Sequence, residues 1–340
     1  MSTSTYIVTG GAGFIGSNLV AELLRREPGA HIMVIDDFRS GSFANIVEAC
    51  QRKGIAPFTG EVFAEAVADL NLQPAIEGLA PNAVFHLAAI TDTTVADEKK
   101  MIHDNTESFG DMIQACAAAR IPLVYASSAA TYGSPRHNHK PFPLSLAGSP
   151  NNVYGFSKWL MELEHARIAA DVAEESGSQP HVVGLRYFNV FGPGEHRKGR
   201  MASMVHQLAI QVLRGGSPRL FRDGSQSRDQ IYVDDVVDCT IAAAAPRAIP
   251  GVYNLGSGRA TSFNDIAGAI LATLAASRTI EYFDMPTHIR QFYQDFTCAD
   301  LTETSRGLQW TPAHEPLAAM RSYVQYLAEH QHTWNDGAAS

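Results

Sequence analysis

Three residues raise the chemical question: Ser128, Tyr154 and Lys158, the last two four apart in "NVYGFSK" (152–158). Residues four apart share a helix face, so a lysine ammonium there can stand beside a tyrosine phenol. A free phenol titrates near pH 10 and supplies little phenolate at neutrality, whereas an adjacent cation favours the ionised form. Such a pair could take the hydroxyl proton of a secondary alcohol while hydride leaves its carbon. Ser128 could then donate to the oxygen that becomes a carbonyl. Taken alone, the pair also reads as the first turn of a surface helix, and Ser128 as a strand-end turn. The elements around them must decide.

The first of those elements is "VTGGAGFIGSNL" (8–19), which follows a strand pattern and opens an amphipathic helix. Gly10 permits the tight turn, Gly13 lets a pyrophosphate reach the backbone, and Gly16 lets helix and strand approach. The anion would lie against the free N–H groups of Phe14 and Ile15 at the helix start. The second strand ends at Asp36, 20 residues after Gly16, where an acid can bind ribose hydroxyls. Asp37 follows, with Arg39 as its one basic neighbour in the turn. A second carboxylate there would repel a 2′-phosphate, which favours NAD over NADP.

Short continuous β-branched runs at 6–10, 31–36, 83–89, 122–128 and 181–188 alternate with helical patterns such as 15–26 and 105–119. This predicts an α/β chain with a Rossmann-type doubly wound parallel sheet and a smaller α/β substrate-binding lobe. The expected dinucleotide-binding domain is 1–188 plus 228–256, the lobe 189–227 plus 257–334, and the tail 335–340. "RDQIYVDDVVDCTIAAAA" reads as a strand and helix returning to the large sheet. A formal charge of −9 argues against a nucleic-acid partner. Cys50, Cys116, Cys239 and Cys298 are scattered, which predicts buried thiols and no metal site. The first strand pattern leaves no room for a signal peptide, and no apolar run has spanning length. A cytoplasmic protein without membrane partners is expected.

The chain resembles the extended short-chain dehydrogenase/reductase superfamily of nucleotide-sugar epimerases and dehydratases. The resemblance is carried by "TGGAGFIG", "VFHLAA", "YASSAATYG", "NVYGFSK", "RYFNVFGPG" and "RDQIYVDDV", in that order. "HRKGRMAS", "SPRLF", "YNLGSGRATSF" and "YQDFTCADL" are most similar to the ADP-L-glycero-D-manno-heptose 6-epimerases. It implies an NAD(P)-dependent epimerase that oxidises a nucleotide-diphosphate sugar transiently to a keto sugar and returns hydride to the opposite face. A homo-oligomer is expected.

By this resemblance Tyr154, Lys158 and Ser128 are catalytic, and Lys158 also holds the nicotinamide ribose. Lys198 becomes the second acid/base, needed because a proton must return from a different direction. Leu87, Ala88, Ala89, Thr91, Asn105 and Val190 join Gly10, Gly13, Phe14, Ile15, Gly16, Asp36 and Asp37 at the cofactor. Asn189 and Tyr293 touch substrate, Phe221 lies near the base, and Arg228 clamps the diphosphate with a planar fork. Thr93 and Thr94 echo a substrate-loop pair, though a helix cap explains them as well.

Some positions depart from the pattern. Arg200 and Gln207 stand at substrate positions where the family has serine and histidine, and Phe43 replaces a lysine that would hold a 2′-phosphate. Ser128-Ala129-Ala130 replaces the Thr-Asp-Glu of related dehydratases, so dehydration is disfavoured. The loop "FRDGSQSRD" (221–229) looks more like UDP-sugar epimerases. A UDP-sugar 4-epimerase or a keto-sugar reductase is therefore the competing enzyme reading. A non-catalytic dinucleotide-binding regulator is the alternative from another class.

Overall fold

The computed structural model describes residues 3–92, 97–135, 139–286 and 293–331. Thr93, Thr94 and the 335–340 tail lie outside them. The chain begins β1 (Thr5–Thr9), α1 (Phe14–Arg26), β2 (His31–Ile35), α2 (Phe43–Arg52), β3 (Glu61–Phe63), α3 (Gln73–Leu79), β4 (Ala83–His86). Next come α4 (Glu98–Thr106), α5 (Phe109–Ala119), β5 (Leu123–Ser128), α6 (Val153–Ser176), β6 (Val182–Tyr187), β7 (Asn189–Phe191) and α7 (Met204–Leu213). Then follow β8 (Arg219–Phe221), β9 (Ser227–Tyr232), α8 (Val233–Ala243), β10 (Gly251–Leu255), β11 (Ala260–Ser262), α9 (Phe263–Thr273) and β12 (Glu281–Phe283). Two more helices, Thr302–Leu308 and Pro316–Glu329, close the described chain.

Seven of these strands form one parallel sheet in the order β10-β6-β5-β4-β1-β2-β3. Its central strands are continuous apolar runs because helices cover both faces. On one face α1, α2 and α8 bury Leu19, Ile46 and Val236 against Val8 and Val34. On the other, α3, α5 and α6 bury Ile76, Ile113 and Met161 against Ile7, Val84 and Tyr125. Strand order reverses between β1 and β4, which opens a crevice at the carboxyl ends of the strands.

One expectation about the sheet fails. β9 does not return to it but forms a second sheet, β11-β9-β7, parallel to β7 and antiparallel to β11. The strand that rejoins the large sheet is β10, beside β6. Only the helix of that segment behaves as expected, since α8 packs on the large sheet through Val236 and Val237. α7, α9 and Pro316–Glu329 build a separate core around Leu208, Ile266 and Tyr323.

α6 begins where Asn152 caps it, its side chain accepting from Gly155 N at 2.8 Å, and stops at Gly177 with φ 73°. This start puts Tyr154 in the first turn and Lys158 one turn on. The helix is then pinned from below. Arg186 on β6 grips Glu162 with a two-pronged fork at 2.6 and 2.9 Å, and both side chains are buried. Arg186 also donates to Tyr132 Oη and Leu144 O, while Ser127 donates to Glu162.

Breaking such a pair by removing one partner leaves a buried, uncompensated charge. Glu162→Ala is expected to lower the unfolding free energy by about 3–5 kcal/mol. Urea unfolding followed by circular dichroism measures this, and a loss below about 1 kcal/mol would show that Arg186 finds compensation elsewhere.

Candidate active site

A cleft of about 1090 Å³ opens over the β1/β4 crevice and reaches across to the smaller sheets. Ser128, at the end of β5, lines it together with Tyr154 and Lys158 from α6. The Ser128 hydroxyl accepts from Ala130 N at 3.1 Å, which turns the chain away and leaves the side chain at the rim. The electrostatics differ from the sequence expectation in one respect. Burial raises the Tyr154 phenol above its ordinary value, and only the neighbouring Ser128 hydroxyl favours the ionised form. Lys158 is 1% exposed, with its ammonium 3.6 Å from the Met161 sulfur, and burial lowers it from 10.5 to about 7. The pair shares a helix face, yet burial, and not the neighbouring partner, sets the direction of both shifts.

The glycine turn has the shape its sequence requires. Gly10 adopts φ +69°, and a Cβ on it would come within 2.7 Å of Ala88 N. A Cβ on Gly16 would meet the Gly10 carbonyl at 2.1 Å, so strand and helix could not close together. Gly13 faces the cleft, and its imagined Cβ would have just the Gly10 oxygen, at 3.2 Å, within 4 Å. That space is a cradle a side chain would fill. α1 starts there with no side-chain cap and no acid in its first turn, so its positive end is open to an anion. Phe14, Ile15 and Gly16 line the same wall.

Asp36 is 6% exposed and accepts from Ala12 N and Phe38 N, both at 2.9 Å. Burial raises its pKa, the two backbone donors opposing. Each carboxylate oxygen keeps a further lone pair for a hydroxyl donor in the cleft. These residues fit a dinucleotide. Asp37 also lines the cleft, but its charge is shared: Arg39 bridges Asp37 and Asp104, each at 2.7 Å. Phe43 is half exposed against Phe58 and does not line the cleft.

Leu87, Ala88, Ala89, Thr91 and Val190 line the cleft, whereas Asn105 does not. Asn105 is 2% exposed and exchanges hydrogen bonds with both backbone groups of Ile90, while donating to Ser157 Oγ at 2.9 Å. It ties the segment after β4 to α6, a structural task behind the cleft wall. A helix-face argument cannot separate those two sides.

Lys198 sits on the loop between β7 and α7, its ammonium 5.3 Å from the centre of the Phe14 ring. Burial lowers its pKa, and Glu195 opposes this. Sequence reading passed over Glu195, which lies between the quoted "RYFNVFGPG" and "HRKGRMAS". It is fully buried and joins the two ends of the loop, accepting from Gly192 N at 3.0 Å, Ser203 N at 2.6 Å and Ser203 Oγ at 3.0 Å. Outside, Arg197 pairs with Glu48 and Asn45 of α2, and Arg200 with Asp92. Gln207 turns its amide onto Arg200 O and Ala202 O and so braces the loop from α7.

Arg228, also lining the cleft, is 8% exposed, its guanidinium 5.1 Å from the Tyr293 ring and 5.8 Å from the Phe263 ring. Phe221 packs edge-on to Tyr293, with centroids 5.7 Å apart. Asn189, exposed at the start of β7, completes the set. Sequence reading also missed Gln230, which lines the cleft two residues beyond Arg228.

An open glycine turn, a buried acid in the cleft wall and a serine–tyrosine–lysine cluster around one cleft fit a dinucleotide-dependent enzyme acting on an alcohol or ketone. Residues 6–256 match the NAD dependent epimerase/dehydratase family, and the chain belongs to that family. ADP-L-glycero-D-manno-heptose-6-epimerase of Alkalilimnicola ehrlichii is 38% identical to it, covering 95% of this chain and 97% of that protein. The crystal structure of Helicobacter pylori ADP-L-glycero-D-manno-heptose-6-epimerase is similar at TM-score 0.82 and 31% identity, covering 96% of both chains. UDP-glucose 4-epimerase from Thermotoga maritima, solved with UDP-glucose, reaches TM-score 0.80 at 26% identity, covering 96% of this chain and 99% of that one. Among the described residues no helix is long and apolar enough to cross a membrane. All four cysteines are buried free thiols.

The buried lysine gives a pH signature. Lys158 titrates near 7 in the folded chain and near 10.5 when unfolded, so between these values the unfolded state binds more protons and stability rises with pH. Below about pH 7 both states are protonated and the full penalty persists. Lys158→Met should flatten this rise. Melting temperatures of dinucleotide-stripped protein and variant across the window test it; identical slopes would mean that Lys158 is solvated.

Proposed function

We propose that this chain inverts a secondary alcohol of a nucleotide-diphosphate sugar, ADP-L-glycero-D-manno-heptose at C6, through a transient ketone. The observation that supports the reading is that two proton-handling groups from separate elements line one cleft: Tyr154 from α6 and Lys198 from the β7–α7 loop. Inversion requires that a proton leave on one side of the carbon and return from another direction. Ser128 donates to the oxygen as it becomes a carbonyl, and Tyr154, ionised once neutral Lys158 has taken the phenol proton, accepts the hydroxyl proton of the alcohol. Lys158 supplies positive charge beneath them, and its lowered pKa lets it pass a proton near neutrality. Lys198, also drawn down by burial, serves the opposite epimer. NAD, when bound, supplies the hydride acceptor and then the donor. Arg228 holds the diphosphate, with Phe221 and Tyr293 around the base. The Ser-Ala-Ala strand end supplies no acid to expel water.

A second reading, inversion at C4 of a UDP-sugar, is favoured by the short loop 222–227 and by the similarity to a UDP-glucose 4-epimerase. A substrate panel separates the two. Purified enzyme is expected to interconvert the ADP-heptose epimers and to leave UDP-glucose and UDP-N-acetylglucosamine unchanged. Lys198→Met should abolish inversion while one epimer still reduces bound NAD in a single turnover, seen as NADH absorbance. Unimpaired epimerisation by the variant would reduce Lys198 to a loop lysine, and turnover of the UDP-sugars alone would move the reading to C4.

For the dinucleotide we infer NAD over NADP. Asp36 and Asp37 face the expected ribose, and Arg39 is already neutralised between Asp37 and Asp104. Acid release from gently purified protein, followed by mass measurement, should give NAD(H) in excess. Predominant NADP(H) would mean that Arg39 leaves its two carboxylates to bind a phosphate.

A further inference from the structure

Gln230 is 1% exposed, lines the cleft, and its amide oxygen is buried without a hydrogen-bond partner. Folded chains rarely leave a buried acceptor unmet, so each such atom in a binding cleft needs an explanation. Its position narrows the explanation. Gln230 and Arg228 alternate with Asp229 on β9, so the first two project to the cleft face and the third to the scaffold. Asp229 is saturated there, accepting from Ser257, Gly258 and Ala299 backbone N–H groups. Across the strand pair Gln230 stands opposite Asn189. Asn189 follows within two residues of Tyr187, which pairs with Ser128. The amide therefore lies along the path from the Ser128 centre to the Arg228 guanidinium. Gln226 also has an unpaired buried oxygen, but it lies outside the cleft and its amide nitrogen is held by Arg222 O.

We propose that Gln230 is a specificity-determining residue: its carboxamide accepts a hydrogen bond from a sugar hydroxyl adjoining the diphosphate. A hydroxyl donor satisfies the orphan acceptor, and Arg228 places the diphosphate next to it. A sugar lacking that hydroxyl, or presenting it in the other configuration, leaves the acceptor unmet again and is disfavoured. This rests on the nucleotide-sugar reading of the cleft.

The test uses holoenzyme and Gln230→Met, which keeps the side-chain length and removes the amide. With whichever nucleotide sugar the wild type turns over, kcat/KM should fall about tenfold, the size of one lost hydrogen bond. Affinity for the bare nucleoside diphosphate and the dinucleotide content should stay within about twofold. An independent arm needs no variant: among monodeoxy analogues of the sugar, one should lose about tenfold with wild-type enzyme. That loss should vanish in Gln230→Met. Unchanged kcat/KM, or an equal loss of nucleoside diphosphate affinity, overturns the proposal. So does a deoxy panel in which every analogue behaves alike. If the wild type turns over no nucleotide sugar at all, the reading of the whole cleft falls, a result distinct from a wild type that works and a variant that matches it.

Discussion

The geometry of the reactive centre depends on one buried ion pair. Glu162 lies one turn beyond Lys158 and two beyond Tyr154, and Arg186 lies on the strand next to Ser128's own. When Arg186 grips Glu162, and Ser127 and Tyr132 join them, α6, β5, β6 and the chain after β5 are fixed in mutual register. A well-packed apolar pair could be as stable, since burying two charges costs most of what their attraction returns. An apolar contact, however, tolerates a sliding helix, whereas a two-pronged fork does not. The pair acts as a registration device that holds Ser128, Tyr154 and Lys158 in fixed relation.

A second constraint is that the cleft must tolerate lysines in dry surroundings. Among the described residues Lys158 meets the Met161 thioether and no carboxylate, and burial lowers its hold on the proton. Lys198 is treated differently. Its loop pairs Arg197 and Arg200 with Glu48 and Asp92, while Lys198 stands over Phe14. Glu195 both ties the loop ends and offsets the inward charge. His206, drawn down to about 4 by burial and then by Lys198, stays neutral and bonds to Tyr323 on the far side. The loop is thus anchored at three points, and Lys198 lines the cleft with its charge offset by Glu195.

Most of this was legible wherever local pattern and global fold agree. The β-branched runs located five of the seven sheet strands, and the glycine triplet located the turn, because both signals depend on neighbours in sequence. β9 was misplaced because "RDQIYV" carries the alternation of a half-buried strand without saying which strand it will pair with. The hydrogen bonds of Asn105 to Ile90 and Ser157 could not be read from the sequence, because residues near a helix end can face a cleft or the wall behind it at the same spacing. The direction of the Tyr154 shift could not be read from the Tyr/Lys spacing, since desolvation is set by atoms distant in sequence. Arg39 was visible, but its bridge to Asp104, 65 positions away, was not.

β9 shows how such an architecture can change its substrate without changing its frame. Its alternation sends Arg228 and Gln230 to the cleft and Asp229 to the scaffold, where one carboxylate gathers the 256–258 turn and the strand-like segment at 297–299. Substituting a cleft-facing position leaves the Asp229 bonds intact, and the scaffold does not register the change. Substituting Asp229 would free several buried N–H groups at once and move both cleft residues together. The cleft face and the structural support are therefore separated by a single residue's alternation, and substitution costs the scaffold least at Gln230 and its cross-strand neighbour Asn189.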